Sequence, residues 1–185
     1  MDPGASEREL LARFRDLDPD AWETVYRRSY PRLRDFARRR LPAGMDADDA
    51  VSECLARAVH RVADLTDRGL RVEAWLFGIL RLVVLEHQRS AGRHRREHPA
   101  TAEASAHPAE HGPLTELLER ELQGSVREAF SRLRPDDQEI LWLRLVADLS
   151  AAEVGSVIGR AEGAVRQAQS RALERLRHQL KEVHP

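Results

Sequence analysis

SAAEVGSVIGRAEGAVRQAQSRALERLRHQL, residues 150–180, is the stretch that decides the fold. Ser150-Ala151-Ala152-Glu153 has the spacing of a capping box, in which Ser and Glu side chains each accept from the other residue's backbone N–H. Val154, Val157 and Ile158 give the short helix that follows an inner face. Gly159 stands where a left-handed residue turns the chain. A longer helix is predicted from about Glu162, with Val165, Ala168, Ala172, Leu173, Leu176 and Leu180 inward. Its other side carries Gly163, Gln167, Ser170, Arg171 and Glu174, with Arg166 on the flank. The pattern is a helix-turn-helix. Small, amide and guanidinium side chains near a helix N-terminus suit a reader of the DNA major groove. An ordinary helical hairpin with a solvated face shares the periodicity. The capping box, the short first helix and the Arg- and Gln-rich second helix together favour DNA.

Helical periods continue upstream. Leu114, Leu117, Leu118, Leu122, Val126, Ala129, Phe130 and Leu133 form one stripe, broken at Arg134-Pro135, and Ile140, Leu141 and Leu145 form the next. Residues 91–113 are different: two His-Pro steps, small residues and almost no apolar anchors predict a linker. His94 and His98 in it have metal-ligand spacing for a helix, but no cysteine joins them, so no metal is expected.

Before the linker, Leu10, Leu11, Phe14 and Leu17 make a first stripe. Asp18-Pro19 reads as an N-cap and first helical residue for a helix lined by Trp22, Val25, Tyr26, Tyr30, Leu33, Phe36 and Ala37. Pro31 is expected to kink it and Leu41-Pro42-Ala43-Gly44 to end it. Asp46 caps the next helix, whose stripe is Ala47, Ala50, Val51, Cys54, Leu55, Ala58, Val59 and Val62. A loop from Thr66 to Val72 leads to a helix over about Glu73 to Arg89, with Trp75, Leu76, Ile79, Leu80 and Val83 inward. No strand alternation appears. The expected fold is all-α: two small helical domains, 1–90 and 114–185, joined by the linker.

Composition bounds the function. The 185 residues carry a formal net charge of −1, so any attraction to nucleic acid must be local. Lys181 is the only lysine, and an Arg excess of this kind also follows from a GC-rich genome. One cysteine, Cys54, excludes an internal disulfide. No signal peptide and no apolar run long enough for a bilayer is read, so the cytoplasm is the expected compartment. Motifs of metallohydrolases, P-loop enzymes and serine hydrolases are missing, so no catalytic residue and no cofactor is expected.

The segment LRPDDQEILWLRLVADLSAAEVGSVIGRAEGAVRQAQSRALERLR resembles the C-terminal domain of the extracytoplasmic-function group of bacterial RNA polymerase sigma factors. Leu133, Pro135, Leu141, Leu143 and Arg144 match that family's first motif, and Leu149, Ser150, Glu153 and Val154 its second. Gly159, Glu162, Gly163, Val165 and Arg166 match the third, and Arg171, Ala172 and Leu176 the last. The N-terminal half is independently similar. Asp46-Ala47-Asp48-Asp49-Ala50-Val51 looks like the family's D-A-E-D-L-V, and Trp75-Leu76-Phe77-Gly78-Ile79-Leu80-Arg81, with Arg89 beyond, looks like W-L-x-x-I-A-R-N-x-x-x-D-x-x-R. Leu82 and Glu86 replace the Asn and Asp of that motif, Ser52 a usual Gln, and Ala161 the Ser before E-G.

The resemblance implies a factor that binds polymerase core and directs it to promoters. It implies that Asp46, Asp48, Asp49, Ser52, Glu53 and Arg57 dock on the largest-subunit clamp, and that the C-terminal domain engages the flap. It implies that Arg68, Arg71, Arg81, Leu85, Gln88 and Arg89 address the −10 element. It implies that Glu162, Gly163, Arg166, Gln167, Ser170 and Arg171 address the −35 element. It further implies control by an anti-sigma factor, without membrane insertion. Periodicity alone makes these faces merely solvated. The competing readings are a helix-turn-helix regulator that does not dock on polymerase core, a metal-dependent hydrolase and a helical protein adaptor.

Overall fold

The computed structural model describes residues 3–65, 70–97 and 124–183, and every regular element among them is helical. The chain divides into two compact units. The expected loop over 66–69, the linker from 98 to 113 and the stripe at Leu114, Leu117, Leu118 and Leu122 lie outside the described residues.

The first unit holds α1 (Pro3–Arg15), α2 (Pro19–Arg40), α3 (Ala47–Arg61), one 3-10 turn (Val62–Asp64) and α4 (Val72–Glu97). The joint between α1 and α2 is tight. Leu17 takes a left-handed conformation with φ 59°, so the N–H of Asp18 reaches the Arg13 carbonyl at 3.0 Å and that of Leu17 the Phe14 carbonyl at 3.2 Å. That is the hydrogen-bond pattern of a glycine-type helix stop, made here by a leucine at a cost of roughly 1–2 kcal/mol. Leu17 is therefore half exposed, contrary to its expected place in the first stripe. Asp18 also opens α2: its carboxylate accepts from the N–H of Asp20 at 2.9 Å and of Ala21 at 3.1 Å, with Pro19 following as expected. α2 runs on through Pro31 and ends at Leu41; Gly44, φ 85°, makes the turn to Asp46.

α3 packs on both α2 and α4, and α2 on α4, around Phe14, Leu33, Phe36, Val51, Leu76, Phe77 and Leu80. Phe36 meets Phe77 edge-on at 5.8 Å, and Phe14 stacks on Trp22 at 4.0 Å. The Trp22 indole N–H donates to the Phe14 carbonyl at 2.9 Å, so a half-buried ring keeps its polar atom satisfied. Burial pushes the Cys54 thiol up to about 12 and leaves it unreactive. Two residues of the expected stripes face outward instead: Tyr26 and Val59 are exposed. α4 begins at Val72 and continues past Arg89 to Glu97, into the stretch read as the start of the linker. Glu73, nearly fully buried, is held by Arg28 of α2 at 2.8 Å.

The second unit holds helical residues 124–131 (α5), α6 (Pro135–Leu145), α7 (Ala151–Ile158) as far as Gly155, and α8 (Glu162–Val183), while Ser156–Gly159 group with the first unit. Pro135 ends one stripe because it starts the next helix, as its first residue. α6 packs on α8, where Leu133, Leu141 and Ala172 form a core covered by Phe130, Leu173 and Leu176. Val126 and Leu145, both expected inward, are exposed. Arg144 fixes the joint to α7: its guanidinium donates to the Leu149 carbonyl and, at 2.9 Å, to Gln169 of α8.

Candidate nucleic-acid interface and docking face

The helix-turn-helix is built as its sequence requires. The Ser150 N–H donates to Glu153 Oε2 at 2.7 Å, and the Glu153 N–H to Ser150 Oγ at 3.2 Å, closing the capping box. Gly159, φ 71°, turns the chain, and the N–H of Arg160 returns to the Gly155 carbonyl at 2.9 Å. That return brings backbone against backbone: a Cβ at Gly155 would sit 2.4 Å from the Arg160 carbonyl oxygen. Only glycine fits there, a constraint that periodicity does not reveal. α8 follows with Ala161 before it, whose side chain offers no oxygen to the helix N-terminus.

Val165, Ala168 and Ala172 are buried, so α8 takes the expected register. Glu162, Gly163, Arg166, Gln167, Ser170 and Arg171 are all exposed and share its outer side. Glu162 and Arg166, four residues apart, form an exposed ion pair. Arg160, just ahead of the helix, pairs with Asp136 of α6 at 3.0 Å. Neither member of that pair was singled out from the sequence.

The α3 face is divided. Asp46 caps the helix, accepting from the Asp48 N–H at 2.6 Å. The Asp48 carboxylate accepts from the Tyr30 hydroxyl at 2.5 Å and from Arg34 Nε at 2.7 Å, both on α2. These bonds, the tyrosine's first, hold Asp48 below the usual carboxylate range and push the Tyr30 hydroxyl up. Arg57 bridges Glu53, at 2.5 Å, and Glu86 of α4, at 2.6 and 3.1 Å. His87 meets the other oxygen of Glu53 at 3.2 Å. The Arg57 bond lowers Glu86, and the two carboxylates raise Arg57. Three of the expected docking residues thus tie helices together, while Asp49 and Ser52 are exposed. Farther along α3, Leu55, Ala56 and Val59 line an apolar groove of about 480 Å³ with Phe14, Trp22 and Tyr26. The signal for it was present: Val59 and Tyr26 extend their stripes too far round for one buried face.

Of the residues expected at the −10 element, Arg68 lies outside the described residues. Arg71 stands before α4, its carbonyl accepting from the Ala74 N–H at 3.1 Å. Arg81 and Leu85 are part-buried and Arg89 is exposed. Gln88 donates to the Arg40 carbonyl at 2.7 Å and so fastens α4 to the end of α2. Leu85, Gln88 and Arg89 line a shallow groove of about 420 Å³ with Gly92 and Arg93. Among the described residues no group of three or more His, Cys, Asp or Glu side chains is placed to hold a metal ion, and no helix is long and apolar enough to cross a membrane.

Comparison with known proteins places both units. The family model for sigma-70 region 2 matches residues 25–94, and that for sigma-70 region 4 matches residues 129–178. The chain is 34% identical to the ECF RNA polymerase sigma factor BldN of Streptomyces coelicolor over 93% of its own length, and spans 61% of that protein, less than two thirds of it. It is 30% identical to the RNA polymerase sigma factor CarQ of Myxococcus xanthus, covering 94% of this chain and 97% of that one. Among solved structures, the sigma factor RpoE of Bartonella quintana, in complex with the anti-sigma factor NepR, aligns with a TM-score of 0.68 at 27% identity, over 86% of this chain and 96% of that one.

Proposed function

Because the chain belongs to the RNA polymerase sigma factors, we propose that it is one of their extracytoplasmic-function group, binds polymerase core in the cytoplasm and directs it to promoters without catalysis of its own. The first unit docks on the largest-subunit clamp through Asp49, Ser52 and the apolar groove beside them, with Asp46, Asp48, Glu53 and Arg57 shaping that face. Residues ahead of α4 and α4 itself, through Arg68, Arg71, Arg81, Leu85, Gln88 and Arg89, address the −10 element. The second unit engages the flap and the −35 element. An anti-sigma factor holds the chain inactive; the solved relative bound to NepR supports that reading.

The observation that carries the proposal is the outer side of α8. Gly163, Arg166, Gln167, Ser170 and Arg171 are exposed together on the second helix of a capped helix-turn-helix, while Val165, Ala168 and Ala172 lock its register. Such a helix enters the major groove N-terminus first. Reconstituted holoenzyme, titrated with promoter duplexes varied at the −35 element at two salt concentrations, tests it. An Arg171 that forks onto guanine gives about 1–3 kcal/mol of discrimination, lost at one base position in Arg171→Ala. An Arg171 that holds phosphate gives a uniform loss and a salt slope lower by about one. If neither Arg171→Ala nor Arg166→Ala changes promoter binding, α8 is not the reader.

A further inference from the structure

We infer that Arg160 is a phosphate contact of this chain on DNA and that Asp136 is its built-in competitor, holding the guanidinium until phosphate displaces it. The inference rests on the reading of α8 as the groove-entering helix and adds a residue that the reading does not contain.

Three observations carry it. First, the backbone of Arg160 is fixed from both sides. Its N–H is bonded to the Gly155 carbonyl at 2.9 Å, and its own carbonyl lies where a Cβ on residue 155 would be only 2.4 Å away. The side chain therefore leaves from a defined point, two residues before the first turn of α8. Second, a helix entering the major groove by its N-terminus puts the residues just ahead of it at the groove rim, where the phosphates run. A guanidinium there meets phosphate and not base edges. Third, the pair that now occupies Arg160 is made to be exchanged. Asp136 is 72% exposed and Arg160 45%, so their attraction is screened by water and salt. Asp136 is placed by the start of α6, where the Pro135 ring opens the helix and an acidic side chain is favoured. The neighbouring acid, Asp137, is instead buried and committed to Arg175, so the two carboxylates have separate tasks.

Promoter binding by reconstituted holoenzyme tests the assignment through R160Q, D136N, the double variant R160Q/D136N, R166A and R171A. R160Q is expected to lower affinity severalfold, equally for every −35 sequence, and to reduce the slope of log affinity against log salt by about one. D136N is expected to raise affinity severalfold at low salt and to lose its advantage as salt rises. The double variant is expected to bind like R160Q alone, because the effect of Asp136 passes through Arg160. Should D136N keep its full gain without Arg160, Asp136 repels DNA directly and the competitor role is overturned. Should R160Q leave affinity and slope unchanged while R171A or R166A weakens binding, the phosphate contact is overturned and α8 remains the reader. If R171A and R166A are also both without effect, the reading of α8 falls and this inference with it. Circular dichroism of each variant guards against a folding defect, which neither exposed side chain is expected to cause.

Discussion

Arg175 of α8 grips Asp137 of α6 with two parallel bonds, Nε to Oδ2 and Nη2 to Oδ1, each of 2.8 Å. The carboxylate is almost wholly buried, and the guanidinium is its main counter-charge. Removing one partner of such a pair strands the other charge out of water. Arg175→Ala is therefore expected to destabilise the second unit, read as a fall in the urea midpoint. Arg175→Lys should recover only part of it, because an ammonium cannot form both bonds. A midpoint unchanged in Arg175→Ala would show that the pair contributes nothing.

Core binding should separate two adjacent acids on α3. Asp49 is exposed, whereas Asp48 carries bonds from Tyr30 and Arg34. Asp49→Arg is expected to weaken competition for polymerase core while the melting curve stays in place. Asp48→Arg is expected to lower the melting temperature itself, since it puts a cation beside Arg34. Equal core affinity of Asp49→Arg and the unaltered chain would remove α3 from the docking face.

Acid should loosen the first unit through the same contacts. Asp48 and Glu86 both titrate below their ordinary values in the folded chain. A carboxylate depressed by folding contributes stability above its unfolded pKa, about 3.9 for Asp and 4.3 for Glu, and loses it as pH falls through the folded value. The stability gap between the unaltered chain and Asp48→Asn or Glu86→Gln should thus be open at pH 7 and close below about pH 4. Thermal melts across that range measure it; a gap independent of pH would count against the ion-pair account.

The Glu162–Arg166 pair on α8 sets a fourth expectation. The pair is exposed, so it contributes about 0.3–0.5 kcal/mol to the helix at most. Its larger effect is on the charge offered to DNA. Glu162→Gln is expected to strengthen promoter binding at low salt, and Arg166→Ala to abolish that gain. A weaker Glu162→Gln complex would mean that Glu162 itself accepts from DNA.

Much of this was legible in the residues because helices declare their buried face. The capping box at Ser150, the turn at Gly159 and the inner line Val165–Ala168–Ala172 lie as their spacing requires. A periodic stripe marks one side of a cylinder but not where burial stops, so Val59 and Tyr26 share the period of their stripes yet line an open groove. Leu145 and Val126 likewise keep the period yet stand exposed. Leu17 departs from its stripe because it lies two residues beyond the last residue of α1, in a conformation usually reserved for glycine. The last turns of α4 escaped because Arg93, His94, Arg95 and Arg96 bring no apolar anchor, and a helix without one leaves no period to read. Buried charges are hidden for a similar reason. Glu73 and Asp137 look like solvent-facing residues until Arg28 and Arg175, distant in sequence, are seen to reach them. Of the candidate sites, the α8 face was the easiest to read, since it needs only one helix; the division of labour on α3 depends on partners from α2 and α4.

The joint at Leu17 and Asp18 has a mechanical consequence. One residue, Asp18, receives the final turn of α1 through its N–H and starts α2 with its carboxylate, so no slack separates the helices. They behave as meshed gears. A single inserted residue would turn α1 by about 100° relative to α2, swinging Phe14 out of the stack with Trp22 and carrying away a wall of the apolar groove. Substitutions in this region act one side chain at a time, but changes of length act on the whole helix. Among descendants of this sequence, the two helices are expected to vary in composition long before the step between them varies in count.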